Sequence, residues 1–133
     1  MKLQTRKHLN MKKYNKASFY SVLILFLIFV ALLFVSQRNL KTNGILLTAT
    51  TTHWGVVVKG YDLNYNFFYN GEKKTGNNSI DKIRGLKDFE GKYFPVIYDP
   101  KYGISQILID PAEFKKYNVP FPDSLNWVLP YFK

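Results

Sequence analysis

The sequence predicts a mainly β fold: a single N-terminal transmembrane helix, a small antiparallel β-barrel or rolled sheet of about five strands, and a short C-terminal helical appendage. Three observations carry this. An unbroken apolar run extends from Val22 to Val35. An alternating aromatic stretch, Tyr61 to Tyr69, leads into Asn70-Gly71. Turn-forming clusters then recur about every 8–12 residues. The chain divides into a basic tail (1–16), a span (17–36), a polar stem (37–43), a β-domain (44–110) and a helical tail (111–133) expected to pack on that domain.

The span comes first. Ala17 to Ser36 holds about 20 uncharged residues, roughly 30 Å of helix, which matches the hydrocarbon core of a bilayer. Ser18 and Ser21 fit within it, because a helical hydroxyl bonds the carbonyl one turn back. Lys2, Arg6, Lys7, Lys12, Lys13 and Lys16 precede the span, and only Arg38 and Lys41 follow it closely. That bias is expected to hold the N-terminus in the cytoplasm and to set the C-terminal domain outside the cytoplasmic membrane. The tail is expected to lie against anionic headgroups, with Tyr14 and Tyr20 at the cytoplasmic interface. The rival readings are a cleaved signal peptide and a buried soluble helix. Around Val35, Ser36, Gln37 and Arg38 the best cleavage frame puts Phe34 at the −3 position, so an uncleaved anchor is expected. No cysteine follows the span, which excludes lipoprotein processing.

The formal net charge of +10 suggests nucleic acid until it is divided. Residues 1–43 carry eight Lys or Arg and no acid, whereas residues 44–133 carry eleven basic and nine acidic residues. The excess belongs to the membrane flank, and no nucleic-acid partner is expected for the domain.

Within the domain, Ile45 to Thr52 is rich in β-branched residues and reads as a strand. His53-Trp54-Gly55 interrupts it, and Val56-Val57-Val58 continues as strand or bulge until Gly60. Tyr61, Leu63, Tyr65, Phe67 and Tyr69 alternate with mostly polar residues, which marks a half-buried strand. Asn70-Gly71 demands a hairpin turn with positive φ. The return strand, Glu72 to about Gly76, has the charged character of an edge. Asn77-Asn78-Ser79 reads as a loop, and Ile80, Ile83 and Leu86 as at most one helical turn. Asp88 to Lys92 reads as a turn around Gly91. Tyr93 to Tyr98 is a strand in which Pro95 must face an edge or bulge. Asp99 to Gly103 is a turn, and Ile104 to Ile109 is the partner strand. Asp110-Pro111-Ala112-Glu113 opens a helix with a capping box that runs to about Tyr117 and is stopped by Pro120 and Pro122. Asp123 starts a second short helix that Pro130 should end.

The segments "YNFFYNGEKKTG" and "GKYFPVIYDPKYGISQILI" resemble a widespread bacterial membrane-associated family of unknown function. Its members set hydrophobic spans beside a small β-domain and show an "NGxxY"-like hairpin followed by a "G-x-x-Y-x-V-x-Y-x-P" pattern. The resemblance covers roughly Ile45 to Ile109. Lys74-Thr75 departs from it where a hairpin aromatic is common, as does the extra tail of residues 111–133. It implies a membrane-associated β-domain and supplies no catalytic residues.

No catalytic constellation is legible. Nucleophilic catalysis needs a nucleophile, a base and an orienting group. The domain has one histidine, His53, which reads as a turn residue, and no cysteine. Asp99 and Asp110 are explained as turn and N-cap. Asp88 and Glu90, the one conceivable acid/base pair, read as solvated charges. No metal, cofactor or phosphate loop is indicated. The unusual feature is aromatic content: 17 of the 90 residues from Gly44 onward are Phe, Tyr or Trp. Tyr61, Tyr65, Phe67 and Tyr69 read as core. Trp54, Tyr102, Trp127, Tyr131 and Phe132 lie in turns and the tail and are the candidate partner contacts. Phe114 to Leu125 is expected to fold back over the barrel's open end, leaving Trp127, Tyr131 and Phe132 to reach outward.

The function expected from these features is non-enzymatic: an envelope protein, anchored by residues 17–36, whose extracytoplasmic domain contacts an envelope protein or a wall component. The alternatives are an immunity or regulatory protein that binds its partner through the aromatic surface, and an envelope hydrolase or transferase.

Overall fold

The computed structural model describes residues 16–58, 60–80 and 85–132. Residues 1–15 of the basic tail and Ile83 therefore lie outside the described residues. The chain forms two compact units, divided after Phe34.

In the first unit, the described residues belong to helix α1, Lys16–Asn43. From Ser18 the helix is long and apolar enough to cross a membrane. Its apolar side chains point in every direction and stay exposed, as in a helix that faces lipid rather than a protein core. Ser21 donates its hydroxyl to the Ser18 carbonyl at 2.9 Å, one turn back.

The second unit begins at Val35 and contains the last turns of α1. The stem is thus helical through Asn43, and Leu40 is buried in the domain core. The Gly44 N–H closes the helix on the Leu40 carbonyl at 3.1 Å, and β1 follows at once.

Five strands build one antiparallel, nearly closed sheet: β1 Ile45–Val57, β2 Gly60–Tyr69, β3 Glu72–Ile80, β4 Tyr93–Asp99 and β5 Ile104–Ile107, in the order β3-β2-β1-β4-β5. The alternation on β2 places Leu63, Tyr65 and Phe67 inside. Asn70 and Gly71 take φ of 50° and 78°, the turn that their sequence demands. Asp99 accepts the Lys101 N–H at 2.9 Å in the turn that leads to β5. Pro95 sits just beyond the last β4–β5 pair, Val96 with Ile107, and its carbonyl accepts the Leu108 N–H at 2.8 Å. Its donorless nitrogen therefore faces the side on which β5 stops pairing.

Three expectations are corrected. β3 runs to Ile80, through Asn77-Asn78-Ser79, which read as a loop. Asparagine is a poor strand former, but Asn78 points inward and its amide is engaged across the barrel. β5 ends at Ile107, two residues early. The second tail helix is a 3-10 helix, η2 (Asp123–Phe132), that passes through Pro130. Proline's fixed φ suits 3-10 geometry, so it does not end the run.

Helix α2, Pro111–Lys116, starts as expected: Asp110 accepts the Ala112 N–H at 2.7 Å. Glu113 reaches one residue further back than a capping box requires, to the Ile109 N–H at 3.2 Å. The stop is a backbone motif rather than the prolines alone. Asn118 takes φ 59°, with Val119 N–H bonded to Phe114 O and Asn118 N–H to Lys115 O. Phe114, Leu125 and Val128 join Phe89, Phe94 and Leu108 in one core, so the tail does fold back onto the barrel. Each fully buried Phe stabilises by roughly 2–3 kcal/mol.

β3 and β5 are the sheet's two edges, and side chains hold them together. The Tyr65 hydroxyl donates to Asn78 Oδ1 at 2.6 Å and lies 2.9 Å from Ser105 Oγ. Asn78 Oδ1 also accepts the Ile107 N–H at 3.0 Å, and Asn78 Nδ2 donates to Gln106 Oε1 at 3.1 Å. Gln106 passes the chain on to Glu113 at 2.9 Å. Burial pushes the Tyr65 phenol up to about 12 and raises the Glu113 carboxyl above its usual range.

Gly76 makes this closure possible. A Cβ there would lie 2.5 Å from the Tyr65 ring and 2.6 Å from Ser105 Oγ. Gly76→Ala should cost about 1–3 kcal/mol by overpacking, at roughly 4–8 °C of melting temperature per kcal/mol. Gly55→Ala meets nothing within 4 Å and should melt like the wild type. Thermal denaturation of the two variants checks the pair, and equal melting would contradict the close approach.

Candidate functional site

The aromatic candidates divide by barrel end. Ile45 pairs with Tyr98, and Thr50 pairs with Tyr93, so the 100–103 turn lies at the Gly44 end of the barrel. Tyr102 is there, 52 % exposed, with Lys101 Nζ 5.1 Å from its ring centre. Trp54, Trp127 and Tyr131 lie toward the opposite, distal end.

At the distal end the geometry begins with Thr51, which the sequence did not single out. It is buried, and its hydroxyl donates to the Phe89 carbonyl and accepts the Lys92 N–H at 3.1 Å. The Thr51 N–H and carbonyl bond Lys92 O and Gly91 N–H, both at 3.0 Å. One strand residue thereby fixes the loop that carries the short 3-10 helix η1, Leu86–Phe89, and the turn after it. Phe89 points inward and stacks on Phe94, with ring centres 5.9 Å apart and planes within 14°.

On this platform η2 lays two rings. Trp127 sits 5.3 Å from Phe89 and 6.0 Å from Phe94, and Tyr131 meets Phe89 edge-on at 5.0 Å. Trp127 and Tyr131 stand at 85° to one another, 6.2 Å apart. The Tyr131 hydroxyl donates to Asp88 Oδ2 at 2.7 Å, and that bond raises the Tyr131 phenol above its ordinary value. The result is an open groove lined by Lys87, Asp88, Glu90, Lys92, Trp127 and Tyr131. Rings supply apolar area at low entropic cost, and the charged side chains around them supply hydrogen-bonding groups, the combination found at contact surfaces.

The end of the chain is therefore not free to reach outward. Trp127 remains 37 % exposed, but its ring is part of the packing, and Phe132 is half-buried against the core. Trp54 stands apart from the groove, half-buried, with its ring edge-on to Tyr61 at 5.4 Å. His53 lies exposed in the bulge of β1, where its carbonyl accepts the Asn64 amide at 3.3 Å. Beside it, Thr52, Asn64, Asn66, Thr75 and Asn77 line a shallow polar hollow on the outer face of the sheet. Asp88 and Glu90 are both exposed, and Asp88 is engaged by Tyr131. Among the described residues, no three of His, Asp and Glu cluster as a metal site would require.

Comparison with known proteins returned no match to a family model, a curated protein or a solved structure.

Because Trp127 is shared between core and surface, Trp127→Ala should destabilise the domain by about 1–3 kcal/mol, below the cost of a fully buried ring. Tyr102→Ala, at an exposed turn, should stay within about 0.5 kcal/mol of the wild type. Denaturant unfolding monitored by circular dichroism measures both. A Trp127→Ala protein as stable as the wild type would remove the ring from the packing.

Proposed function

We propose that this protein is a non-enzymatic, single-span membrane protein whose barrel stands outside the cytoplasmic membrane and holds an envelope protein or a wall component in the Trp127–Tyr131 groove. The apolar helix near the N-terminus supports the anchor. The six cations before it against two after it support a cytoplasmic N-terminus. The proposed resemblance to a bacterial family that sets spans beside a small β-domain agrees with the anchor. The observation that carries the contact role is the groove itself. Two rings are held at right angles on a rigid aromatic platform, yet left partly open among four charged side chains. A core built only for stability has no need to border its last rings with Lys87, Asp88, Glu90 and Lys92.

Photo-crosslinking in intact cells tests this reading. A photoreactive residue at Lys92 should yield a discrete adduct, and the same residue at Thr75, on the outer sheet face, should not. Glu90→Lys, at an exposed position, should lower the Lys92 adduct several-fold without changing the melting temperature. Equal adducts from positions 92 and 75, or none from 92, would refute the groove as the contact site.

A further inference from the structure

The apolar inner face of the sheet does not stop where the barrel core stops. β4 pairs with β1 only as far as Thr50 and Tyr93, so residues 54–57 of β1 extend beyond it with β2 as their strand neighbour. Between Thr51 and Trp54 the register slips by one residue: Thr52 and His53 together oppose Asn64. Without that bulge His53 would face inward. With it, Trp54, paired with Leu63, returns to the inner face, and so does Val56, paired with Tyr61. The overhang therefore presents Trp54 and Tyr61 as an edge-on pair, with Val56 next and Val58 at the turn. Val56 is 77 % exposed and Val58 fully exposed. Residues 53–61 contain one lysine and no acid.

We propose that this hairpin tip is a second lipid contact, which enters the headgroup layer of the same bilayer that α1 occupies. The proposal rests on the membrane reading of α1 given above. Its chemistry is that of an interfacial element: small apolar side chains lead, an indole and a phenol follow at headgroup depth, and the one acid of the overhang, Asp62, pairs with Gly55 on the opposite face, where its carboxylate accepts the Ser79 hydroxyl at 2.6 Å. The tether supplies the rest. The 13 residues of β1 span at most about 45 Å, so the tip is always within that distance of the end of α1. Insertion far too weak to hold a free domain on a membrane is sufficient for one already attached.

The chain contains no cysteine, so single positions can be labelled cleanly. Full-length Val58→Cys and Thr75→Cys proteins, each carrying an environment-sensitive NBD dye, are reconstituted into vesicles of phosphatidylcholine and phosphatidylglycerol. Quenchers are placed in the headgroup-proximal acyl region. Flotation with the vesicles reports the anchor, and quenching reports the tip. The dye at position 58 should be blue-shifted and quenched several-fold more than the dye at 75, and Val56→Ser should reduce that difference. A protein that fails to float overturns both the anchor and the tip. A floating protein whose position 58 is quenched no more than position 75, or is shielded only at high protein density as a second copy would shield it, overturns the tip and leaves the anchor standing.

Discussion

Between the sheet's two edges, the side-chain amide of Asn78 accepts the Ile107 N–H and the Tyr65 hydroxyl on one oxygen, while its nitrogen donates to Gln106. β3 and β5 are each four antiparallel steps apart in the sheet, so they meet running in the same direction. A side chain here does what a strand backbone does elsewhere in a ladder. Were the amide absent, the Ile107 N–H would lose its acceptor inside the domain, at a cost of about 1–3 kcal/mol, and the phenol of Tyr65 would be left with Ser105 Oγ alone. The remaining architecture follows from this closure. It keeps Tyr65 inside, and it lets Gln106 and Glu113 tie α2 to the seam.

The two ends differ in character. At one, α1 enters and Leu40 is buried, with the exposed turn of Tyr102 nearby. At the other, Thr51 anchors the loop on which Phe89, Trp127 and Tyr131 are stacked, and the β1–β2 hairpin overhangs with its valines bare. Exposed apolar and aromatic surface beyond isolated residues marks a place where a molecule meets something else. The groove and the bare valines thus share the end away from the α1 junction, while Ile45, Leu46, Phe68 and Tyr102 are exposed near the other.

Much of the strand framework was legible because it is written in local chemistry. The period-two aromatics of β2 follow from one-sided burial, Asn70-Gly71 from its left-handed φ values, and the start of α2 from Asp110 and Pro111. The features that escaped notice depend on partners far along the chain. Asn78 looks like loop composition, and only the approach of β5 turns its amide into a structural element. Thr51 is one of four threonines in its strand, distinguished solely by the loop 38 residues later that it binds. Trp127 and Tyr131 stand out as candidates by their position in the tail, but their mutual geometry depends on a platform, Phe89 and Phe94, drawn from elsewhere. Pro130 misled because its helix-breaking effect applies to α-helix interiors, not to 3-10 turns.

Amide hydrogen exchange at Ile107 in the full-length protein, held in micelles, tests the seam most directly. Its N–H is bonded to a side chain, whereas the next one, Leu108, is bonded to the backbone carbonyl of Pro95. If Asn78 closes the barrel, the Ile107 amide should be protected as strongly as that of Leu108, both opening only with the domain. An Ile107 amide that exchanges as fast as those of the exposed 100–103 turn, while Leu108 stays protected, would show that the seam is open.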